Sequence, residues 1–419
     1  MYFDKLYKAL LVILPFHVLV SVFFDYKIWI SGFWIYKEIL VIALLWILIH
    51  ELYKLKKMPK FDILDFMIFG YFGYLLLISL VNFTWLKPII YGWRYDFEFL
   101  LMFLVSRHWG FLLKDKLSSY IRLFLLSWWA AIIIWLLVRF VFGETILVNF
   151  WFSPKLSSWS FDQGVPIYHW IEWANVRRFQ WIFDWPNQAA FFLIVYSWVL
   201  FHYLRNKKDF QFYLYSALAV IWWLVFLTYS RSSLLGIIAW LWLVFLLNLK
   251  TIVKKYKIQS ISVLILMILL WGAFYVRYGW VMDNIILRAW SSKWHIERMI
   301  IWFKQFSSKP LGQGLASSWP WYRITHDTKW VDEKNFIPES WYVQQLVEWW
   351  IIGFFLFVWI MYLMTIKIYF LSKPIFFSFI AILFMNLLLH TFEASYISLM
   401  LFMLLGLFLR KKENPTLSL

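Results

Sequence analysis

Apolar runs of about 20 residues recur along the whole of this chain, with polar breaks between them. A helix of that length crosses the hydrocarbon core of a bilayer, where backbone amides must find their partners inside the helix itself. Hydrophobic residues make up 63% of the sequence and charged residues only 15%, which is far from the balance of a soluble domain. The pattern therefore predicts an all-α integral membrane protein.

The apolar runs predict about twelve transmembrane helices. They cover residues 6–24, 33–53, 63–83, 95–113, 118–142, 187–204, 211–229, 232–249, 259–276, 341–365, 374–391 and 394–410. The first run lacks the small-residue cleavage site of a signal peptide, so we expect it to remain as an anchor. Spans one to nine then occupy 1–276 with an external loop at 143–186, a large external loop occupies 277–340, and spans ten to twelve with a tail occupy 341–419.

Lysine and arginine cluster in alternate loops, for example in residues 54–60 and 410–412. Because basic residues are retained on the cytoplasmic side, this alternation places both termini in the cytoplasm and the loops 143–186 and 277–340 outside the cytoplasmic membrane. The net charge of +17 is spread over many loops and forms no single face. We therefore expect anionic lipid headgroups as its partners and no nucleic acid.

The residue types exclude several kinds of metal site. There is no cysteine, so disulfides and thiolate ligands are absent. No Asp-x-Asp pair occurs, and His169, His295 and His326 lack the spacing of metal ligands. We expect neither a metal nor another cofactor.

The large polar interruption before span ten has its own helical pattern. From Ser291 to Phe306, apolar residues recur at steps of three and four, which predicts an amphipathic helix; they are Ile296, Met299, Ile300, Phe303 and Phe306. Pro310 and Gly312 end this pattern. Pro338 then suits a helix entrance and places Glu339 in the first turn of span ten.

Several segments follow one another in a recognisable order. Upstream are GWRYDFEFLLMF at span four, FDWPNQAAFFLI entering span six and TYSRSSLLGII at the start of span eight. The large loop adds a helix with arginine, serine and histidine, then a PLGQGL turn, an ESWYVQ helix start and VEWWIIGF. Together, over most of the chain, these segments resemble the O-antigen ligase and polymerase superfamily of membrane glycosyltransferases.

The resemblance implies a GT-C-like bundle with a large helical extracytoplasmic loop between spans nine and ten, in which catalysis takes place. The family transfers a glycan from an undecaprenyl-diphosphate carrier to an acceptor hydroxyl at the outer membrane face, without a nucleotide sugar. It thereby implies three partners, namely an undecaprenyl-diphosphate-linked glycan donor, a glycan or lipid acceptor, and membrane lipids.

Departure of the diphosphate requires cations, and the guanidinium fork of arginine binds phosphate oxygens in pairs. Arg231, at the outer mouth of span eight, is the candidate catalytic cation, and an interfacial arginine that reaches to headgroups is the alternative. Arg94, beside Asp96, either binds substrate or forms a structural ion pair. The family pattern makes Arg288 and Arg298 substrate-binding candidates, although simple solvation also explains an arginine in a loop.

Glu339 occupies the place where many ligases of the family carry a histidine that activates the acceptor. The helix dipole stabilises the charged carboxylate there, which weakens it as a base, and helix capping is the alternative role. His295 is a second catalytic candidate, with His326 as a further substitute. The family match makes Glu348 a structural or orienting acid and a substrate-binding candidate. Asn187 either caps span six or contacts sugar hydroxyls.

The counts of tryptophan and glycine look exchanged, at 32 and 14. Tryptophan stands where the family has glycine at Trp185, Trp294, Trp319, Trp321 and Trp350. Turns with positive φ and close helix contacts favour glycine, and tryptophan suits neither. We hypothesise that UGA codons read as glycine in the source organism have been written as tryptophan. An aromatic belt at the membrane interface is the alternative.

Other functions stay open at this point. A lipid-linked oligosaccharide flippase or transporter shares the spans, although internal repeats and broken helices in matching halves are typical of that class. A non-catalytic membrane scaffold needs no polar cluster on its outer loops. Within the family, Glu339 and the PES helix start favour a polymerase or another surface-glycan transferase over a lipid A ligase.

Overall fold

The computed structural model is almost entirely helical. It describes residues 2–28, 33–56, 59–82, 86–112, 117–153, 165–171, 176–180, 183–239, 242–243, 276, 279, 289–308, 312–315, 317–318, 340–390, 392 and 394–409. Among these residues, six helices are long and apolar enough to cross a membrane. The described part of the chain is therefore an all-α membrane bundle with one small β-hairpin.

The helices run in chain order with few irregular connections. They are α1 (Tyr2–Ile13), α2 (His17–Lys27), α3 (Tyr36–Lys54), α4 (Ile63–Val81), α5 (Leu86–Asp96), α6 (Glu98–Leu112), α7 (Leu117–Leu137), α8 (Pro186–Leu204), α9 (Gln211–Leu227), α10 (Ala289–Ser308), α11 (Trp341–Leu371), α12 (Lys373–Met385) and α13 (Ser395–Phe408). A 3₁₀ turn, Leu14–Phe16, joins α1 to α2, and the hairpin consists of β1 (His169–Ile171) and β2 (Val176–Arg178).

Helices overlie most of the predicted spans, but only six of the described helices are long and apolar enough to cross a membrane, against the twelve that were predicted. The first predicted span contains α1 and α2, and α3, α4, α6, α7, α8, α9, α11, α12 and α13 overlie later ones. Residues 231–239 are helical at the start of the span predicted at 232–249, whose remainder lies almost wholly outside the described residues. The span predicted at 259–276 lies outside them except for its last residue.

Local sequence explains where several helices begin. Asp62 caps α4, because its side chain accepts hydrogen bonds from the amides of Leu64 at 3.1 Å and Asp65 at 3.3 Å. The Asp65 carboxylate accepts in return from the amide of Asp62 at 2.9 Å, which completes a capping box. Proline opens α8 and lies in the first turn of α12, where its missing N–H costs no helical bond.

One end of the bundle, which we call the terminal end, gathers the start of α1 and the end of α13. Tyr120, near the start of α7, donates to the Asp4 carboxylate, and Arg122 donates to the Tyr203 hydroxyl at the end of α8 at 3.2 Å. His202 of α8 hydrogen-bonds the Ser372 hydroxyl, which precedes α12, at 2.8 Å. These contacts fix which helix ends share one side.

An ionic network at the terminal end holds α4, α6 and α11 together. The guanidinium of Arg107, which is buried, donates to Asp62 at 2.5 Å and to Asp65 at 2.7 Å. Lys367 of α11 reaches Asp62 at 3.1 Å. Burial would raise the pKa of the Asp62 carboxyl, but hydrogen bonds and charge from Arg107 and Lys367 hold that pKa well below its usual range.

Helices α6 and α13 pack closely at the centre of the bundle. Gly406 of α13 permits this approach, because a Cβ there would lie 2.5 Å from the carbonyl oxygen of Phe103 in α6. The hydroxyl of Tyr7 in α1 donates to Ser106 of α6 at 2.9 Å. Small residues and interhelical hydrogen bonds are the contacts that hold helices together within lipid.

Replacement of Arg107 by methionine should lower the free energy of unfolding by about 3–5 kcal/mol, because the buried Asp65 carboxylate loses its main counter-charge and the partly exposed Asp62 loses one of its two cations. Unfolding of the purified protein in mixed micelles would measure this loss. Arg122→Met, at an exposed arginine of the same end, is the matched control and should cost about 0–1 kcal/mol. Equal stability of the two variants would contradict the role given to the Arg107 network.

Candidate polar site at the hairpin end

The opposite side of the bundle, which we call the hairpin end, carries the β-hairpin and the ends of α9 and α12. The hairpin is antiparallel, with His169 opposite Arg178 and Ile171 opposite Val176. Just after β2, the amide of Phe179 donates to the carbonyl of Leu227, the last residue of α9, at 2.8 Å. The hairpin is thereby fastened to the end of α9.

Arg178 is the central cation of this end. It is 8% exposed, and its Nε donates to the carbonyl of Thr228 at 2.9 Å while its Nη2 donates to Oδ1 of Asn187 at 3.0 Å. A buried guanidinium joins the hairpin, the turn after α9 and the first turn of α8. Asn187, a predicted site residue, therefore lies beside a cation that the sequence analysis did not single out.

The segment after α9 brings Arg231 to the same end. Tyr229 adopts a left-handed backbone with φ 47°, and a helical stretch begins at Arg231. The serines around it are buried; the Ser230 and Ser232 hydroxyls lie 3.1 Å apart. Because Arg178 binds the Thr228 carbonyl only three residues before Arg231, the two arginines and Asn187 belong to one polar region.

His169 and Gln180 support Arg178 from within the hairpin. The His169 ring hydrogen-bonds the Gln180 side chain, whose amide also donates to the carbonyls of Pro166 and Phe183, each at 2.9 Å. Burial lowers the pKa of His169 to about 4. The hydrogen bond with Gln180 raises this pKa, and the positive charge of Arg178 lowers it further. His169 is therefore neutral at pH 7.

Aromatic and amide contacts extend this polar region across the bundle. The Tyr396 hydroxyl of α13 donates to Oε1 of Gln188 in α8 at 2.6 Å. The Tyr396 ring lies 5.0 Å from that of His17, which hydrogen-bonds the Tyr36 hydroxyl at 3.0 Å. Helices α2, α3, α8 and α13 thus share one layer of polar contacts at the hairpin end.

Arg94 lies in a buried ionic cluster beside Tyr36. Its guanidinium pairs with Glu38, and the fully buried Lys37 pairs with the same carboxylate. Glu98 is buried nearby, at 4% exposure. Asp96, the neighbour that suggested an ion pair in the sequence, instead accepts from the Gln345 amide at 3.3 Å. Arg94 has a structural partner in Glu38 within this arrangement.

Glu348 anchors part of the large loop to α11. It is 1% exposed, and one carboxylate oxygen accepts from the amide of Ser318 at 3.1 Å and from the Ser318 hydroxyl. One turn earlier in α11, Gln345 accepts from the Tyr71 hydroxyl at 3.3 Å. Glu348 thereby ties the 317–318 segment of the loop to α11.

The predicted helix of the large loop exists as α10, but its apolar residues do not form the buried face. Ile296 is 54% exposed, Ile300 is 50% exposed and Phe303 is 54% exposed. Among the α10 side chains whose burial is described, the buried ones are Trp302, at 3%, and Arg298, at 9%. The indole of Trp302 offers more apolar area than an isoleucine side chain, so its burial sets the orientation of α10. Plain solvation is thus excluded for Arg298.

The remaining predicted site residues are placed as follows. His295 is partly buried on α10. Glu339, Arg288 and His326 lie outside the described residues. Within the part of the chain that the structure describes, no group of three or more acidic or histidine side chains is placed to hold a metal ion. The described site is therefore a set of arginines, amides and hydroxyls, which suits anionic and hydroxylated ligands.

No protein-family model matches the sequence, and a comparison with curated proteins gives no match either.

The hairpin should loosen in acid because His169 is buried in its neutral form. The unfolded imidazole takes up a proton below a pKa near 6.5, whereas the folded one does so only near 4. Stability is therefore complete above pH 6.5 and falls as the pH drops towards 4, by about 3 kcal/mol. Hydrogen exchange of the hairpin amides, corrected for its intrinsic pH dependence, would measure this, and His169→Gln should remove the dependence in that window. A pH-independent hairpin in the parent chain would contradict the assignment.

Proposed function

We propose that this chain is a membrane glycosyltransferase of the O-antigen ligase and polymerase type. It transfers or polymerises an oligosaccharide from an undecaprenyl-diphosphate-linked donor onto a glycan or lipid acceptor during assembly of cell-surface polysaccharide. The observation that carries the proposal is Arg178, held between Asn187 and the segment of Arg231 at one end of an apolar helical bundle. Arginines in such a place are costly unless they serve a structure or a ligand.

The charge distribution supports an orientation for this site. The lysine and arginine clusters at 54–60 and 205–208 adjoin helix ends of the terminal end, where basic residues favour the cytoplasm. The hairpin end then faces the opposite side of the cytoplasmic membrane, together with the loops 143–186 and 277–340. Lipid-linked glycans assembled for the cell surface are displayed on that side.

The proposed reaction needs a cation at the leaving group and a base at the acceptor. The bond between the anomeric carbon and the donor diphosphate breaks, and its electron pair leaves with the diphosphate. Arg231 and Arg178 stabilise that charge, since guanidinium groups bind phosphate oxygens in pairs. The acceptor oxygen forms the new glycosidic bond, and its proton passes to a base, for which Glu339 is the candidate and His295 the alternative.

A second function, flipping or transport of the lipid-linked oligosaccharide, is favoured by one observation. Helix α11 is interrupted at Trp350, where the backbone leaves the helical region. Broken helices line substrate sites in many transporters, although there they occur as a matched pair in two repeats. Among the described helices, none shows a second interruption that would pair with the one at Trp350.

The two functions separate in proteoliposomes that contain the purified protein and a lipid-linked oligosaccharide. Chain extension from the donor alone identifies a polymerase, and transfer only after addition of a second acceptor identifies a ligase. Movement of the donor to the other leaflet without a new glycosidic bond identifies a flippase. Absence of both transfer and movement contradicts the proposal and its alternative.

Replacement of Arg231 by alanine should lower the transfer rate about 100-fold or more, because the departing diphosphate loses a counter-charge. The radiolabelled product from the donor would be counted in proteoliposomes with equal amounts of inserted protein. Arg122→Ala, an exposed arginine at the terminal end, is the control and should transfer at the parent rate. Near-parent transfer by the Arg231 variant would remove Arg231 from the site.

A further inference from the structure

Helix α11 contains one residue whose backbone is not helical. Trp350 has φ 59° and ψ −178°, whereas all other residues of α11, from Trp341 to Leu371, are helical. We call this point the α11 break. That combination of angles lies in a region that L-residues almost never occupy and that is essentially restricted to glycine, because a Cβ there collides with the neighbouring backbone.

The α11 break is held from outside by specific hydrogen bonds. In an uninterrupted helix the carbonyls of residues 347 to 349 would accept from the amides four residues later. Here the Val347 carbonyl accepts from the amide of Gln313 and the Glu348 carbonyl from the amide of Gly314, each at 3.0 Å. The Trp349 carbonyl accepts from the Tyr74 hydroxyl at 2.8 Å. Three substitute donors therefore maintain the interruption.

The loop docks on the break so closely that side chains are excluded around it. Gly312 has φ 76°, and a Cβ added there would lie 2.6 Å from the carbonyl oxygen of Glu348 and 3.1 Å from the amide nitrogen of Trp350. A Cβ at Gly353, one turn later, would lie 2.6 Å from the Cβ of Trp349. Gly312 in the loop and Gly353 in α11 both lie near position 350, and neither has room for a side chain. The backbone angles at position 350 are more restrictive than those at either glycine.

We infer that position 350 is glycine in the protein made by the source organism, and that the tryptophan written there represents a UGA codon read as glycine. The junction between the two halves of α11, and the docking of the 312–315 segment on it, then depend on a residue without a side chain. The excess of tryptophan over glycine in the chain, 32 against 14, is the expected signature of such a codon assignment. The inference stands independently of the proposed glycosyl transfer.

An aromatic belt does not account for this position. Belt residues lie on regular helices with their rings at the headgroup level. Trp359, nine residues further along α11, has the regular helical backbone of such a residue and is 51% exposed. Trp350 and Trp359 lie in the same helix and differ in backbone conformation, so they form a matched pair for a test.

The first test is chemical. Mass spectrometry of peptides from the protein purified from its native source should show the residue mass of glycine at position 350, and the gene should carry UGA at that codon. A tryptophan mass at this position, or a UGG codon, would overturn the inference.

The second test uses recombinant protein and does not require the source organism. Trp350→Gly should raise the melting temperature of the chain as written, because the strain of a Cβ in this backbone region disappears. Trp350→Ala should recover much less, because alanine keeps the Cβ. Trp359→Gly should lower the melting temperature, because glycine in a regular helix is destabilising.

The pattern of the three variants decides the outcome. A rise with Trp350→Gly, a clearly smaller effect with Trp350→Ala and a fall with Trp359→Gly support glycine at position 350. Equal effects of glycine and alanine at position 350 would attribute the gain to removal of a bulky ring and would overturn the backbone argument. If the chain as written fails to fold, recovery by Trp350→Gly but not by Trp350→Ala supports the inference, and recovery by both overturns it.

Discussion

A bilayer offers no water to a broken helix, so every interruption inside the bundle needs a donor or acceptor from elsewhere in the chain. The α11 break shows how this constraint organises the hairpin end. Its three freed carbonyls are reached by two amides of the 312–315 segment and by the hydroxyl of Tyr74 in α4. The same requirement draws the loop onto α11 and brings Ser318 to the Glu348 carboxylate. Backbone hydrogen bonds therefore fix the loop on α11, together with the burial of Leu315 in the apolar core.

Buried polar side chains also need partners within the chain, and the partners differ in kind between the two ends of the bundle. At the terminal end, Arg107 is enclosed by Asp62 and Asp65, with Lys367 alongside, an arrangement of opposite charges that fastens three helices. At the hairpin end, Arg178 is held by neutral oxygens, a carbonyl and an amide. These two contacts tie the hairpin to the turn after α9 and to the first turn of α8.

The sequence predicted an all-α membrane protein, because apolar runs and helical periods are local properties, but it predicted twelve spans where six described helices are long and apolar enough to cross a membrane. Pro186 and Asn187 marked the start of α8, and the spacing from Ser291 to Phe306 marked α10. It did not predict Arg178, which gains its importance from a hairpin and from Thr228, fifty residues away. Nor did it predict Glu38 as the partner of Arg94, since the adjacent Asp96 was the nearer candidate. The buried side of α10 was likewise set by tertiary packing on Trp302.

Backbone conformation distinguishes the tryptophans that stand at glycine-type positions from those that do not. Trp151, with φ 66° and ψ 19°, ends a 3₁₀ helix in the left-handed region where glycine is usual, so it resembles Trp350 in kind, though its region is open to other residues. Trp128 is different, because it is buried in the regular helix α7 and stacks on Phe192 at 3.6 Å between ring centroids. A helical backbone is sterically open to tryptophan as well as glycine, so it does not identify the codon. The backbone angles φ and ψ at each tryptophan therefore decide whether glycine is required there, and they require it most strictly at the α11 break, where the helix is interrupted.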